Sequence, residues 1–132
     1  MPNFAFLRRA MVEHQLAARG IRDQRVLDAM NTVPREAFLP ERLAEFAYED
    51  TPLPIEEEQT ISQPYVVAAM AEALKLSPDD RVLEVGAGSG YAAAVLGRIA
   101  GEVWAIERHA ALAQSARQRM EKLGYGNVHI LH

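Results

Sequence analysis

The sequence predicts an α/β protein in which a doubly wound parallel sheet follows an amino-terminal helical region. From Arg81 onward, short apolar segments alternate with segments of helical periodicity, in the order strand, helix, strand, helix, strand. The first of these strands runs into a turn with glycines at positions 86, 88 and 90, which is typical of a strand that ends beside a ligand. We therefore expect a helical and connecting region at residues 1–58 and a ligand-binding region at residues 59–132.

The composition argues against several classes of function. The 132 residues, 49% hydrophobic and 24% charged, allow one globular domain with an ordinary core. The net charge is −4 and the basic residues are scattered, which argues against a nucleic-acid partner. There is no cysteine, and the four histidines lack the spacing of metal ligands, so we expect no metal. Without a signal peptide or a membrane-spanning run, we expect a cytoplasmic protein with no membrane partner.

Two helices are predicted before residue 34. The first covers about residues 3–19 and ends at Gly20, while the second is capped by Asp23 and stopped by Pro34. Their apolar positions should face the core; these are Leu7, Met11, Leu16, Val26, Leu27 and Met30.

The next segment connects these helices to the ligand-binding region. Prolines at positions 34, 40, 52 and 54 break any long element, which leaves a short helix at residues 41–46 and then extended chain. The acidic run at residues 56–58 is interpreted as a solvated loop.

A third helix is predicted at about residues 63–75, where apolar residues recur at helical spacing. Ser62 stands just before it, with Pro64 in the first turn, so Ser62 is the expected N-cap. The expected apolar stripe consists of Val66, Val67, Met70 and Leu74.

The remaining elements build the sheet. We expect strands at residues 81–85, 103–106 and 127–132, with helices at 91–99 and 110–123 between them. Three strands would leave the faces and edges of such a sheet poorly covered. The chain is therefore expected to be the amino-terminal part of a larger enzyme or to pair with another chain.

Three glycines and two acids carry the chemistry. Gly86 permits a sharp exit from the strand, Gly88 lets the backbone approach a ligand, and Gly90 lets the next helix pack closely. Glu107, at the end of the second strand, can accept hydrogen bonds from both hydroxyls of a ribose. Glu84 sits within an apolar strand, so its carboxylate needs either donors near the glycine turn or a cationic ligand group.

These residues resemble known motifs. Residues 82–90 resemble the first motif of the class I S-adenosylmethionine-dependent methyltransferases. Glu107 resembles the acidic residue with which these enzymes bind the ribose. More narrowly, Gln-Thr-Ile-Ser-Gln-Pro-Tyr at residues 59–65, continued by Val66-Val67-Ala68, with Val-Pro-Arg-Glu-Ala-Phe at 33–38, resembles the protein-L-isoaspartate O-methyltransferase family. The resemblance runs from about Leu7 to His132.

The resemblance implies a fold, an activity and a set of site residues. The fold would be a doubly wound, Rossmann-like methyltransferase sheet, incomplete at about three parallel strands. The activity would be methyl transfer from S-adenosylmethionine to the α-carboxylate of L-isoaspartyl, and also D-aspartyl, residues in damaged proteins or peptides, for repair. A complete enzyme of this kind would be a monomer.

Site residues are implied position by position. Ser62 matches the active-site serine, and the methionine portion of the cofactor would lie against Glu84 and the glycine turn, whereas Glu107 and Arg108 would hold its ribose and adenine side. The adjoining pocket residues are Gln59, Thr60, Ile61 and Tyr65, the last of which is a histidine in some relatives. The glycine-turn residues are Gly86, Ala87, Gly88, Ser89 and Gly90.

The chain departs from the family pattern at two places. Glu58 stands where the family commonly has glycine, and the acidic-glycine motif that follows the third strand is absent. Two other functions therefore remain open. One is a class I methyltransferase of a small molecule, against which the Thr60-Ile61-Ser62 segment argues. The other is a truncated, non-catalytic module that serves in binding or assembly.

Overall fold

The amino-terminal region is helical, as the sequence predicts. The computed structural model describes residues 2–132. Helix α1 spans Phe4–Met11 and continues through a π-helical turn, Val12–Leu16, and a 3-10 turn, Ala17–Arg19. The predicted helix at residues 3–19 is thus helical throughout, but its pitch changes twice before Gly20 ends it at φ +100°.

Helix α2 spans Gln24–Thr32 and begins and ends where the sequence indicates. The Asp23 carboxylate accepts a hydrogen bond from the backbone N–H of Arg25 at 2.9 Å, so it satisfies one of the free donors of the first turn. The chain becomes extended at Val33, because the residue before a proline disfavours helical geometry. Buried residues of the two helices face a common core: Met11, Leu16, Val26, Ala29 and Met30.

The connecting segment contains two 3-10 helices and a small hairpin. The 3-10 helices span Arg35–Phe38 and Glu41–Phe46, so the short helix predicted at residues 41–46 is confirmed. The extended chain forms an antiparallel hairpin, β1 at Leu53–Pro54 and β2 at Thr60–Ile61. This pairing joins residues on both sides of the expected boundary at 58/59.

Helix α3 spans Pro64–Ala73, and Ser62 is not its N-cap. The cap position is Gln63, whose carbonyl oxygen accepts the N–H groups of Val66 and Val67 at 3.0 and 3.3 Å. Because Pro64 supplies a pre-set helical φ at the first position, the helix starts one residue later than expected, and Ser62 stands outside it.

The predicted apolar stripe of α3 is also largely wrong. Only Val67 of its four residues is buried, whereas Val66, Met70 and Leu74 are 38%, 67% and 53% exposed. The alanines at 68 and 71 face the core instead, since small side chains let α3 lie close against the amino-terminal helices.

The central sheet matches the predicted topology. Its strands are β3 at Arg81–Val85, β4 at Glu102–Ile106 and β5 at Val128–Leu131, all parallel, with β4 in the middle. Helices α4, Tyr91–Gly97, and α5, Ala110–Leu123, make the two crossovers. In the register, Val85 pairs with Ile106 and Ile106 with Leu131, so the three carboxyl ends meet at one edge.

The helices cover one face of this sheet and leave the other open. Val103, Ala105 and Ile130 point into the core and are at most 5% exposed. The opposite face carries large apolar side chains that are 39–80% exposed: Leu83, Val85, Trp104, Ile106 and Leu131.

Two negative findings apply to residues 2–132. No helix among them is long and apolar enough to cross a membrane. Within the same range, no three or more acidic or histidine side chains are grouped as they would be to hold a metal ion.

Candidate active site

The glycine turn forms the floor of the site at the carboxyl end of β3. The backbone N–H groups of Gly86 and Ala87 both donate to the carbonyl oxygen of Ile106, at 2.8 and 3.0 Å, which anchors the turn to β4. Gly86 and Gly90 have φ values of +89° and +92°, in the positive-φ region that residues with a Cβ avoid.

Gly90 serves close packing, though not of the helix predicted from the sequence. A Cβ at this position would lie 2.7 Å from Cε of Met120 and 3.2 Å from Cβ of Ala116, both on α5. The missing side chain therefore lets α5 approach the turn, whereas the sequence suggested that it lets α4 pack on its strand.

Glu107 is buried beneath the turn and is 5% exposed. Its two carboxylate oxygens accept the N–H groups of Gly88 and His109 at 2.9 and 2.8 Å. Burial alone would raise the pKa of Glu107, but these backbone donors outweigh it and lower the pKa. The carboxylate is therefore ionised at neutral pH and retains free lone pairs for a ligand.

Glu84 lies close by in β3 and has the opposite character. Its Oε1 atom is buried and has no hydrogen-bond partner within residues 2–132. Burial, and then the charge of Glu107, raise the pKa of Glu84 to about 7. The sequence suggested two kinds of partner for Glu84: donors near the glycine turn, or a cationic ligand group. Among the described residues, no donor at the turn bonds to its Oε1 atom.

Ser62 faces the glycine turn across a small cavity of about 90 Å³. The Ser62 side chain is exposed, and its carbonyl oxygen accepts a hydrogen bond from Nη2 of Arg35 at 2.9 Å. Both walls contribute to the lining: Thr60, Ile61 and Ser62 on one side, and Glu84, Gly86, Ala87, Gly88, Ser89 and Tyr91 on the other. A groove of about 420 Å³ between α3 and β3 also touches Ser62, Glu84 and Gly86.

The hairpin tip lies over this floor. Ile55 is buried and reaches to within 3.7 Å of where a Cβ on Gly88 would be. Glu57 and Glu58 both have positive φ, +60° and +55°, in a turn closed by a bond from Gln59 N–H to Glu56 oxygen at 3.2 Å. This is the geometry of a type I′ turn, which favours glycine or asparagine.

A long ion pair with α5 and a carboxylate–imidazole contact just before α5 connect the tip to this part of the chain. The Glu56 carboxylate lies 4.0 Å from Nη2 of Arg119, and that of Glu57 lies 3.8 Å from Nδ1 of His109. Arg119 also donates to the carbonyl oxygen of Ser89 at 3.0 Å. The acidic run is exposed, as expected of a solvated loop, but two of its carboxylates, those of Glu56 and Glu57, lie beside Arg119 and His109.

Five predicted site residues line neither cavity: Gln59, Tyr65, Gly90, Glu107 and Arg108. Gly90 belongs to the glycine turn, and Glu107 is hydrogen-bonded to it at Gly88. The other three lie apart from the turn. Gln59 donates its amide to the carbonyl oxygen of Glu57, Tyr65 lies under the guanidinium of Arg19, and Arg108 is exposed beside His109. The geometry therefore brings together Ser62, its two preceding residues, Glu84, Glu107 and the glycine turn.

Sequence reasoning missed two arginines that hold this arrangement. Arg119 lies on a face of α5 whose residue pattern predicts exposure to solvent. Arg35 could have been noticed, because a charged residue stands in the otherwise apolar run Val33-Pro34-Arg35-Glu36-Ala37-Phe38.

Comparison with known proteins gives a consistent result. A family model described as "Protein-L-isoaspartate(D-aspartate) O-methyltransferase" matches residues 7–132. The chain is 61% identical over 129 residues to "Protein-L-isoaspartate O-methyltransferase 1" of Geotalea uraniireducens, covering 98% of this chain and 59% of the relative. It is 65% identical over 124 residues to the protein of the same family name from Methylorubrum extorquens, covering 94% and 54%.

Solved structures agree in fold. A structure named protein-L-isoaspartate O-methyltransferase superposes with a TM-score of 0.82 at 32% identity, covering 93% of this chain and 41% of its own. A second, from Plasmodium falciparum, is described as a proposed protein-L-isoaspartate O-methyltransferase in complex with S-adenosyl-L-homocysteine. It superposes with a TM-score of 0.79 at 28% identity, covering 95% and 62%.

The chain spans just over half the length of the curated relatives that it matches. Within that span, the match extends over nearly every residue, from the helical region through the glycine turn to the last strand. The chain therefore belongs to the protein-L-isoaspartate(D-aspartate) O-methyltransferase family.

Proposed function

We propose that the protein transfers a methyl group from S-adenosylmethionine to the α-carboxylate of L-isoaspartyl residues, and also to the free side-chain carboxylate of D-aspartyl residues, in damaged proteins. One observation carries the proposal beyond family membership: Ser62 and the glycine turn line the same cavity. A methyl acceptor held at Ser62 would thus lie beside a cofactor held at residues 86–90.

The residues present fit the cofactor. S-adenosylmethionine, when bound, supplies a sulfonium methyl group and carries an ammonium group and a ribose. The partnerless Oε1 of Glu84 suits the ammonium group, because a buried carboxylate gains most from a cationic donor. Glu107 is ionised and can accept from the ribose hydroxyls. Arg108, at the same sheet edge, is proposed to border the adenine side.

On the substrate side, no general base is needed. A free α-carboxylate has a pKa of roughly 3.3 to 3.7 and is ionised at neutral pH. Catalysis then depends on holding a carboxylate oxygen in line with the methyl group. The oxygen–carbon bond forms as the carbon–sulfur bond breaks, and the two opposite charges cancel. The backbone nitrogen of the next residue then attacks the ester carbonyl and loses its proton as methanol leaves, which gives a succinimide. Hydrolysis of the succinimide returns part of the backbone to normal aspartate.

Ser62 is proposed to orient the substrate carboxylate by donating its hydroxyl proton. Its side chain is exposed and stands outside the helix cap, so the hydroxyl is available to a ligand. A nucleophilic role is disfavoured, because no histidine lines the cavity beside Ser62 to act as its base. Gln59, Thr60, Ile61 and Tyr65 are proposed to contact the substrate around it.

The assay compares an isoaspartyl peptide with its normal aspartyl twin. The complete gene product is titrated with S-adenosylmethionine, and labelled methyl transfer to each peptide is measured. Transfer to the isoaspartyl peptide alone supports the proposal, whereas transfer to neither, with cofactor binding intact, contradicts it.

That second outcome would favour a non-catalytic binding or assembly module. The observation that supports this alternative is the open apolar face of the sheet, whose side chains are up to 80% exposed. We also propose that the complete gene product is a cytoplasmic monomer that acts on damaged proteins or peptides, with its helical region at residues 1–58 and its cofactor-binding region beginning at residue 59.

A further inference from the structure

Arg35 is a charged side chain in the interior of the protein. It is 0% exposed, and none of the ion pairs among residues 2–132 includes it. Taking a guanidinium out of water without a carboxylate is costly, so its remaining contacts must offset the loss of hydration.

Those contacts connect three parts of the chain. Nε donates to the carbonyl oxygen of Ala47 at 2.6 Å, and Nη2 donates to that of Ser62 at 2.9 Å. The guanidinium carbon lies 4.9 Å from the ring centroid of Tyr91, within cation–π range. Tyr91 directly follows Gly90, so one side chain touches both walls of the cavity between Ser62 and the glycine turn.

The geometry explains why the residue is arginine. A planar fork can hold two carbonyl oxygens in fixed directions while its face stacks on a ring, which a lysine ammonium cannot do. The carbonyl that it holds belongs to Ser62 itself. Ser62 lies outside helix α3, and its carbonyl precedes Gln63 and the N–H-lacking Pro64, so the helix ladder does not fix its orientation.

We propose that Arg35 is a positioning residue for Ser62: it holds the Thr60-Ile61-Ser62 segment at a fixed distance from the glycine turn. The inference rests on the proposed function, because positioning matters for catalysis only if Ser62 contacts the methyl acceptor. Arg35 itself is buried and lines neither of the two cavities at the site.

The test is a double-mutant cycle in the complete gene product. Arg35→Gln should lower kcat for the isoaspartyl peptide about 10- to 100-fold, as expected when a reacting group is displaced by about 1 Å. The dissociation constant for S-adenosylhomocysteine should change less than about 3-fold, since Glu84 and Glu107 are untouched. In a Ser62→Ala background, Arg35→Gln should lower kcat no more than about 2-fold further. Equal losses of kcat in both backgrounds would overturn the inference.

Two further variants separate positioning from folding. Arg35→Lys keeps the charge and can reach one carbonyl, so it should restore part of the lost kcat; if it is no better than Arg35→Gln, the inference fails. Arg8→Gln is the matched control, because Nε of Arg8 donates to the Tyr48 hydroxyl at 2.8 Å, next to the Arg35 backbone N–H that donates to it at 3.0 Å, and no hydrogen bond joins Arg8 to Ser62. We expect its kcat to stay within about 2-fold of the wild type, and a loss as large as that of Arg35→Gln would contradict the inference.

Amide hydrogen exchange gives a readout that does not depend on activity. In Arg35→Lys, exchange at residues 60–62 should speed up about 10-fold or more while amides of α5 are unchanged. Unchanged exchange at residues 60–62 would overturn the inference even if the enzyme methylates isoaspartate. Conversely, faster exchange in a protein that transfers no methyl group would refute only the proposed function. It would still support the inference that Arg35 holds the Thr60-Ile61-Ser62 segment in place.

Discussion

Replacing Glu84 with glutamine tests whether the buried Glu84 carboxylate destabilises the fold when no cation is bound beside it. Burial and the neighbouring Glu107 raise the pKa of Glu84 from 4.5 to about 7. An acid with a raised pKa opposes folding once it ionises. The stability that depends on a neutral Glu84 is therefore fully present below about pH 4.5 and is lost as pH rises through about 7.

The size of the effect follows from the shift. A difference of about 2.5 pKa units, at about 1.4 kcal/mol per unit, gives roughly 3 kcal/mol at pH 8 as an upper bound. At pH 5, where Glu84 is largely protonated in the folded protein, the destabilisation is about 1 kcal/mol or less. Glu84→Gln keeps the shape of the side chain and removes its charge, so it should raise the free energy of unfolding by up to these amounts.

Urea denaturation of the complete gene product at pH 5 and pH 8 measures the difference. Glu45→Gln is the matched control, because Glu45 is exposed and its removal should change stability by less than about 0.5 kcal/mol. A gain of stability in Glu84→Gln that is the same at both pH values, or no gain at all, would refute the electrostatic reasoning.

The same variant should lose affinity for ligands that carry an ammonium group. Loss of a charge-assisted hydrogen bond, about 1.5 to 3 kcal/mol, predicts binding of S-adenosylhomocysteine weakened about 10- to 100-fold. Methylthioadenosine lacks the amino-acid portion and should bind the variant and the wild type alike. Calorimetric titration of both ligands checks this, and equal weakening of both would show that Glu84 does not act on the ammonium group.

Three further substitutions test the loop, the turn and the serine. Ser62→Ala should lower kcat about 10- to 100-fold without changing the urea midpoint, since Ser62 caps no helix; unchanged turnover would remove its proposed role. Glu58→Gly should stabilise the fold by about 0.5 to 1 kcal/mol, because the φ of +55° strains a side chain, whereas Glu56→Gly, without a positive φ, should destabilise it. Equal effects of the two substitutions on the urea midpoint would argue against strain at the tip. Gly90→Ala should cost about 1 kcal/mol more than Gly86→Ala, since only the Gly90 Cβ would meet α5 side chains, at 2.7 and 3.2 Å. Equal losses on denaturation would mean that α5 does not pack closely there.

The sheet could be predicted because its signals are local. Each strand is a short apolar run, each crossover helix has its own periodicity, and Gly86 to Gly90 mark where β3 must turn. The location of Glu107 follows from strand order alone, since parallel strands bring their carboxyl ends to one edge.

The errors lie where distant residues decide the outcome. Met70 and Leu74 recur at helical spacing, yet smaller alanines on the same helix face the core, because α3 packs closely on the amino-terminal helices. Ser62 has the composition of a cap, but the proline two residues later moves the helix start to Pro64. Spacing within a helix cannot show which neighbour the helix meets.

The site depends on contacts that cross the boundary expected at residue 58. Strand β1 pairs with β2 across it, and Ile55 lies against Gly88. Tyr91, at the start of α4, packs edge-on against Phe38, with ring centroids 5.6 Å apart, and its hydroxyl lies 3.6 Å from the sulfur of Met30. The composition changes at residue 58, but the hydrophobic core does not end there, because residues on both sides are buried in one cluster. The glycine turn identifies the kind of ligand, whereas the helical region, through Arg35, sets how far from that ligand Ser62 stands.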